Sequence, residues 1–591
     1  MSAKDAAAEP LIASFAAITP AMLDAAAAIA GITLSAAQKT MMLDGVRDQR
    51  AGLQAVRDMH LPNSVAPAMV FNPLPSGFKL PVVVPSKPRS VTASVTGLVG
   101  NEDKLAFATV RQLAELLRTR KVTSVELTKM YLARSKRFDP QLHMVITSLD
   151  ERALAQATTA DREIAAGRYR GPLHGVPWGA KDLLNVKGSP TTWGAAGYES
   201  QQFDEDATVV QRLDAAGAVL ISKLTLGALA QNDVWFGGKT RNPWNTKQGS
   251  SGSSAGPASA VSAGCVGFAI GSETLGSISA PSTRCGVTGL RPTFGFVPRT
   301  GAMALSWSMD KLGPICRSVE DAALVMAVIH GQDGRDASVR PAGFDANVSI
   351  DMKTLRVGYL ESSFADPMLR VPDAGAAAET DAGKREADRV SRQRALERQQ
   401  YDHKFDLAAL AALRGMGITL IPIKLPDFPF GSLTPILEVE AAAAFDELTR
   451  SGRDKLLTSQ GPGDWPNQFN VARMYSGVDY VQAMRARSVL IEKMAEMFKQ
   501  VDVLVTSTNG PQLTATNLSG HPAVIVPNGV RGAEAPMPTD TAEGARGNVG
   551  GPGTPVSLTF LGHLYDDARL LAFAQKYQEK TGFHLLHPAL A

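Results

Sequence analysis

Cysteine is scarce in this chain, which has only Cys265, Cys285 and Cys316 among its 591 residues. A small and odd number of cysteines argues against a framework of disulfide bonds. The sequence also lacks any Cys-x-x-Cys or His-x-x-x-His spacing. It therefore indicates no metal site.

An excess of one charge is lacking too. The chain carries 60 Lys and Arg residues against 57 Asp and Glu residues, a net charge of +3, and it has no dense basic block. Proteins that bind nucleic acid or a charged membrane surface usually show such a block. We therefore expect neither of these partners.

Long apolar runs are also missing. No stretch of 18 residues is strongly hydrophobic and free of charge, so no transmembrane helix is predicted. The first ten residues contain Lys4 and Asp5, and no basic segment followed by an apolar one, as a signal peptide would need. We expect a cytoplasmic protein, unless a secretion signal has been trimmed. An apolar content of 44% predicts a large buried core.

The most informative stretch is rich in glycine and serine. Residues 249–264 read GSSGSSAGPASAVSAG, and residues 270–286 read IGSETLGSISAPSTRCG. Glycine allows close approach of the backbone to a ligand, and a serine hydroxyl can act as a nucleophile. Apolar residues such as Val261, Phe268 and Leu275 interrupt the stretch, which a Gly/Ser linker would not show. The composition indicates a reactive loop.

These segments resemble the amidase signature family, a group of serine hydrolases. In that family a Gly/Ser-rich loop precedes a Gly-Ser that holds the nucleophile, followed by Cys-Gly and Gly-Leu-Lys/Arg-Pro-Thr. Here GLRPTFG at 289–295 matches the last motif, and GPLHGVPWGAKD at 171–182 resembles the family's Gly-Val-Pro and Lys-Asp motif. The resemblance covers residues 105 to 587.

The resemblance implies an α/β fold in which helices cover a large mixed β-sheet. We expect residues 101–591 to form this catalytic domain. Residues 1–100 would be an N-terminal extension, with helices between 11 and 60 and a proline-rich strap from 61 to 100. This extension could serve as a structural cap, as a dimer contact or as a lid over the substrate.

The resemblance also implies a catalytic triad and no metal or organic cofactor. Lys181 would be the base and Ser277 the nucleophile. The bridging serine could be Ser250 or Ser253, because Gly-Ser-Ser occurs twice, but the alanines and glycines that follow match the family register only for Ser253. The peptide bond before that serine is cis in the family. A lysine accepts a proton only when it is neutral, and burial favours that state.

By the same resemblance, an oxyanion hole would be formed by the backbone amides of Thr274, Leu275, Gly276 and Ser277. Leu275 stands where the family usually has glycine, so its φ is expected to be negative. Glu273 replaces an aspartate, and Ser279 replaces a common arginine.

Other polar residues of these segments have simpler interpretations. We expect the remaining serines to make hydrogen bonds within the loop, Cys285 to be a small buried residue, and the two histidines nearest the motifs to be core or turn residues. These residues are Ser250, Ser251, Ser254, Ser272, Cys285, His174 and His521.

The predicted function is hydrolysis of a carbon–nitrogen bond in a linear, non-peptide amide through a seryl acyl-enzyme, with carbamates and esters as further substrates. Apolar residues near the loop suggest a small molecule with a hydrophobic acyl or aryl group; they are Leu275, Met303, Trp307 and Met309. Two alternatives remain: a glutamine amidotransferase subunit that releases ammonia for a partner enzyme, and a catalytically inactive binding protein. Assembly into a homodimer stays open.

Overall fold

A computed structural model describes residues 17–83, 93–368 and 381–590. In chain order, the helices are α1 Pro20–Ile29, α2 Ala36–Arg57, α3 Glu102–Ala106, α4 Val110–Arg118, α5 Ser124–Leu142, α6 Asp150–Ala165, α7 Thr208–Ala215, α8 Ala255–Ser262, α9 Ser279–Cys285, α10 Val319–Ile329, α11 Glu361–Phe364, α12 Ala382–Gly415, α13 Pro435–Ala444, α14 Asp446–Arg450, α15 Trp465–Ala472, α16 Gly477–Phe498, α17 Pro511–Ser519 and α18 Asp567–Thr581. Short 3₁₀ helices lie at Ala228–Ala230, Phe430–Leu433, Arg453–Leu456 and Phe583–Leu585.

The strands are β1 Val145–Ser148, β2 Pro177–Lys181, β3 Val219–Leu224, β4 Val234–Trp235, β5 Gly238–Lys239, β6 Arg241–Asn242, β7 Asn245–Gly249, β8 Phe268–Glu273, β9 Thr288–Arg291, β10 Lys311–Cys316, β11 Val357–Leu360, β12 Leu420–Ile423, β13 Val503–Thr506, β14 Ala523–Val530 and β15 Pro555–Gly562. Within the described residues, eleven of them form one sheet in the order β1-β3-β2-β8-β10-β9-β14-β15-β13-β11-β12.

This sheet is mixed, as the resemblance implied. β2 runs parallel to both β3 and β8, whereas β10 is antiparallel to both β8 and β9. Every residue of β2, β3 and β8 is buried. Strands that are buried on both faces need a layer of helices on each side. The predicted fold class, a large mixed sheet covered by helices, is therefore confirmed.

The N-terminal segment has the predicted helices and strap, as far as the structure describes it. Helix α1 begins after Thr19 with Pro20 at its first turn, and α2 begins with a capping box between Ser35 and Gln38. Residues 61–83 and 93–100 contain no helix or strand. Residues 11–16 and 84–92 of these predictions lie outside the described residues. The division into two domains stays a prediction.

The strap lies against the catalytic part of the chain. The Asn63 side chain exchanges two hydrogen bonds of 2.7 Å with the backbone of Ala304. Further along, the ring of Phe71 packs edge-on against Phe294 at a centroid distance of 5.1 Å. These contacts fix one face of the strap.

One region differs from a simple prediction made from the sequence. The apolar pattern of residues 436–448 predicts one long helix, but the backbone leaves the helical conformation at Phe445, between α13 and α14. The Phe445 ring is buried against Trp193 and Phe469, and this packing accounts for the break. The charged insert between 366 and 398, for which the sequence predicts a solvated helix or a mobile loop, is helical from Ala382 as part of α12, and its residues 369–380 lie outside the described residues. Among the helices that the structure describes, none has the length and apolar character to cross a membrane.

Candidate active site

Lys181 is the last residue of β2, in the interior of the sheet between β3 and β8. Its side chain is fully buried. The side-chain nitrogen Nζ lies 2.8 Å from Ser253 Oγ, 2.9 Å from Ser272 Oγ and 3.0 Å from Ser254 Oγ. Three hydroxyls from two separate segments therefore surround one lysine.

The hydrogen bonds of Ser254 restrict which of these hydroxyls can give a proton to the lysine. Ser254 Oγ donates to the carbonyl oxygen of Ser272 at 3.0 Å and accepts from the Ser272 amide at 3.1 Å. Its single proton is thus already used, and Ser254 can only accept from Lys181. A neutral amine donates two hydrogen bonds and accepts one, so its lone pair remains for Ser253 or Ser272.

The surroundings of Lys181 favour its neutral form. Burial lowers the pKa of Lys181 well below its ordinary value of 10.5, although the nearby carboxylates of Asp310 and Glu273 act in the opposite direction. An amine without a proton can serve as a general base. The site therefore supplies a proton acceptor next to the hydroxyl of Ser253.

Ser253 lies on the turn between β7 and α8. The Gly252–Ser253 peptide bond is cis, as the resemblance implied. Gly252 packs so closely on the backbone of Asn232 that a Cβ atom would stand 1.7 Å from the Asn232 carbonyl oxygen. Only glycine fits there, and the turn is held against the neighbouring segment.

Ser277 lies on the turn between β8 and α9, and it is partly exposed. Its carbonyl oxygen accepts a hydrogen bond of 3.0 Å from the Ser254 amide. This contact joins the backbone of the two turns. In the part of the chain that the structure describes, the Ser277 hydroxyl has no hydrogen-bond partner, so the link from Ser277 to Ser253 stays a prediction.

The predicted oxyanion-hole residues occupy the same turn. Gly276 has a φ of +88°, which favours glycine, while Leu275 is not among the residues of positive φ, as expected. The side chain of Thr274 anchors this residue, because its hydroxyl donates a hydrogen bond to Asp310 Oδ1 at 2.5 Å. Burial raises the pKa of Asp310, and the hydrogen bond from Thr274 opposes this shift.

Glu273 fixes the other end of the turn. Its Oε2 atom accepts hydrogen bonds from the Ile278 amide at 2.9 Å and from the Ser279 amide and hydroxyl at 2.8 Å. Ser279, which stands where the family often has arginine, is the first residue of α9, and these hydrogen bonds anchor it to Glu273. The backbone on both sides of Ser277 is therefore held by two buried carboxylates, Asp310 just before β10 and Glu273 at the end of β8.

Comparison with known proteins decides the family. The family model described as Amidase matches residues 126–571. This chain belongs to the amidase family. The resemblance to the amidase signature enzymes is thereby confirmed, and the chain is an amidase-family enzyme that acts on carbon–nitrogen bonds.

Relatives of this amidase-family chain bear different names. It is 30% identical over 536 residues to a subunit of the glutamyl-tRNA(Gln) amidotransferase of Chloroflexus aggregans, and the alignment covers 83% of this chain and 99% of that protein. The solved structure of the peptide amidase from Stenotrophomonas maltophilia is 26% identical, with a TM-score of 0.62 over 80% of this chain and 97% of that one. The 6-aminohexanoate cyclic dimer hydrolase is 22% identical, with a TM-score of 0.64 over 82% and 99% of the two chains, and this likeness shows the fold alone.

Sequence reasoning missed several buried partners in this amidase-family chain. It assigned Ser254 and Ser272 to general hydrogen bonding within the loop, whereas both lie next to Lys181 Nζ. It also gave no role to Asp182, which forms a fully buried ion pair of 2.6 Å with Lys223. The partners in each pair are far apart in sequence, so no local spacing could have revealed them.

Other residues lie where the sequence placed them. The hydroxyl of Ser250 donates to the Ser251 carbonyl at 2.8 Å and does not contact Lys181. Cys285 is buried, and burial raises the pKa of its thiol. His174 and His521 are both buried; His174 lies 3.2 Å from Glu163 and His521 lies 2.8 Å from the Ser519 hydroxyl.

A large cavity lies next to this site. Its volume is about 1050 Å³, and Ser272 and Thr274 line it together with His60 and with residues 61–64 and 66–71 of the strap. Of the apolar residues that the sequence places near the loop, Met303 and Trp307 line it. Met309 does not, because its side chain is buried in the core, and Leu275 is not part of the wall. No cluster of three His, Cys, Asp or Glu residues that could hold a metal ion occurs within the described ranges.

Proposed function

We propose that this chain hydrolyses a carbon–nitrogen bond of a small-molecule amide, with Ser277 as nucleophile, Ser253 as bridge and Lys181 as base. Lys181 takes the proton of Ser253 while Ser253 takes the proton of Ser277, whose oxygen attacks the carbonyl carbon. The backbone amides of residues 274–277 stabilise the negative oxygen. The amine leaves with a proton returned through Ser253, and water then cleaves the acyl ester to give the acid.

One observation carries this proposal. A lysine that is fully buried, with a strongly lowered pKa, lies 2.8 Å from the hydroxyl of Ser253. Burying an ionisable lysine side chain in a protein interior costs folding free energy. A strongly perturbed group in hydrogen-bond reach of a candidate relay hydroxyl is typical of catalytic machinery. This arrangement argues against the catalytically inactive alternative.

The wall of the large cavity supports a substrate with a hydrophobic acyl or aryl group. Besides Met303 and Trp307, it includes Trp193 and Phe445. Apolar and aromatic walls with a few polar groups are usual in small-molecule sites. Carbamates and esters present the same kind of carbonyl carbon and are included in the proposal.

A second candidate function is a glutamine amidotransferase subunit. It is favoured by the relative from Chloroflexus aggregans, which is named as part of a glutamyl-tRNA(Gln) amidotransferase and which aligns over 99% of its length. In that case the same three residues would release ammonia from glutamine for a partner enzyme. The wide, partly apolar cavity is larger than glutamine needs and favours the first candidate.

The deciding experiment is a hydrolysis screen of the purified chain over aryl amides, primary amides, carbamates, esters and glutamine. We expect release of an amine from aryl amides and none in the Ser277→Ala variant, which keeps its fold. Normal turnover in Ser277→Ala would refute the nucleophile. Hydrolysis of glutamine that appears only when a partner protein is added would favour the second candidate.

A further inference from the structure

A second, smaller cavity lies beside the turn that carries Ser253. Its volume is about 270 Å³, and Gly249 and Ser251 line it from that turn. It shares one structural wall with the large cavity, because Ala228 and Gln231 line the smaller cavity while Ala230 lines the larger one. We call it the basic cavity, after the charges described next.

The basic cavity has one positive charge more than negative charges. Its charged lining residues are Asp233, Lys239, Arg284, Asp464 and Arg546. Asp464 pairs with Arg546 at 3.0 Å, and Asp233 lies 3.6 Å from Lys239. The two carboxylates are therefore matched with two of the three cations.

Arg284 is the cation that is left over. Within the described residues, its guanidinium forms no ion pair, and its one hydrogen bond is a long one of 3.3 Å from Nη1 to the Gly249 carbonyl. The side chain is partly buried. Burial lowers the pKa of Arg284, and the carboxylate of Asp233 opposes this shift. A guanidinium presents five donors suited to carboxylates, and Arg284, which lines the cavity, uses only one of them within the described residues.

The position of Arg284 relates the basic cavity to the reacting residues. Arg284 lies on α9, which starts two residues after Ser277, and its contact Gly249 is the last residue of β7, shortly before Ser253. One turn and one short helix thus connect this guanidinium to both serines. The large cavity approaches the same two serines, Ser253 and Ser277, through its lining residues Ser272 and Thr274.

We propose that the basic cavity holds a carboxylate of the substrate on Arg284, so that the preferred substrates are amides with a hydrophobic part and one negative charge. This proposal rests on the proposed amide hydrolysis. The hydrophobic part occupies the large cavity and the carboxylate pairs with Arg284. Arg284 is then a specificity-determining residue, which takes no part in the proton transfers at Lys181.

The test compares three substrates that share one scissile bond: hexanoyl anilide, hexanoyl-para-aminobenzoate and adipate monoanilide. The second carries a carboxylate on the amine part, and the third carries it on the acyl part. We expect at least one of the charged amides to have a higher kcat/KM than the neutral anilide. In Arg284→Met that substrate should lose about tenfold to a hundredfold in kcat/KM, mostly through KM, since a charge-assisted hydrogen bond is lost.

Control variants separate recognition from folding. The neutral anilide should be hydrolysed equally well by Arg284→Met, and Arg284→Lys should recover part of the preference. Arg118→Met removes an exposed charge that lines neither cavity, and it should leave the preference unchanged. Equal losses for charged and neutral amides in Arg284→Met would mean a structural role and would overturn the proposal, as would the absence of any preference in the wild type.

Binding distinguishes this proposal from the proposed function. If no amide is cleaved, the proposed amide hydrolysis is wrong. The role of Arg284 is then tested by calorimetry, which measures the binding of the charged and neutral compounds to the Ser277→Ala variant. Tighter binding of a charged compound that Arg284→Met abolishes would support the carboxylate site. Equal binding of charged and neutral compounds would overturn it.

Discussion

Glu273 and Arg291 form an ion pair of 3.0 Å in which both side chains are completely buried. Glu273 ends β8, and Arg291 ends β9. Arg291 Nη2 also donates to the Thr516 hydroxyl at 2.8 Å. The second oxygen of Glu273 holds the amides that follow Ser277. The turn that carries Ser277, the proposed nucleophile, is therefore fixed to the core by a charge pair that water does not reach.

Replacing Glu273 should destabilise the fold. In Glu273→Gln the guanidinium of Arg291 keeps its charge but loses its carboxylate, and removing one partner of a buried pair costs about 3 kcal/mol or more. We expect this loss in the free energy of unfolding measured with denaturant. Glu205→Gln is the matched control, because its pair with Arg335 is about half exposed on both sides and contributes little. Equal effects of the two substitutions would contradict this account.

The same pair predicts sensitivity to acid. Although burial disfavours the charged form, Arg291 and Lys311 lower the pKa of Glu273 from 4.5 to about 2. The unfolded chain then binds a proton more readily than the folded chain, so this contribution to stability is complete above pH 4.5 and declines as the pH falls toward 2. This decline should be smaller in Glu273→Gln, as measured by the free energy of unfolding across that range.

The two candidate bridging serines make a direct comparison. Ser253 lies 2.8 Å from Lys181 Nζ, whereas the Ser250 hydroxyl donates to a backbone carbonyl. Ser253→Ala should reduce kcat by about 10²–10⁴-fold, the usual contribution of a positioned proton-transfer group. Ser250→Ala should keep most of the activity. A large loss of activity in Ser250→Ala with little loss in Ser253→Ala, measured in one kinetic assay, would identify Ser250 as the bridging serine.

Lys181 should show its role in a pH profile. Activity requires the neutral amine, so kcat should fall as the pH decreases through the lowered pKa of Lys181, and Lys181→Met should be inactive at every pH. Because the folded pKa is lowered, the unfolded chain binds more protons below the ordinary value of 10.5, and the free energy of unfolding should rise with pH.

The slope of that stability curve provides a second readout for Lys181. Between about pH 8 and pH 10, the slope should be smaller in Lys181→Met than in the wild type. Unchanged slopes would mean that Lys181 is not deprotonated on folding. A variant that retained activity without Lys181 would exclude it as the base.

The strap should influence substrate binding more than chemistry. Asn63→Ala removes both hydrogen bonds to Ala304, and these residues line the large cavity. We expect a severalfold rise in KM for hydrophobic aryl amides with little change in kcat, measured by steady-state kinetics. Asn72→Ala is the control, because the Asn72 side chain accepts its hydrogen bond from Leu74 within the strap itself. A drop in kcat alone would assign the strap another role.

Local sequence determined a large part of this protein. The apolar spacing of residues 110–117 predicts helix α4, the capping box at residues 123–126 predicts helix α5, and the apolar run at residues 218–223 predicts the buried strand β3; all three are observed. The motifs around Lys181, Ser253 and Ser277 were sufficient to indicate the family and the site. These signals are local because backbone propensity and the hydrogen bonds at helix ends depend on residues adjacent in sequence.

Only the tertiary structure decided which side chains meet. Lys181 and Ser272 are 91 residues apart, and Glu273 and Asn517 are 244 residues apart, yet both pairs form hydrogen bonds of 2.9 Å. The break of the helix at Phe445, the absence of Met309 from the cavity wall and the unpaired charge of Arg284 within the described residues also follow from packing between distant segments. The sequence by itself determined most of the helices and strands and the candidate site residues. The order of the strands in the sheet decided which side chains contact these residues, because burial and charge pairing depend on neighbours in space.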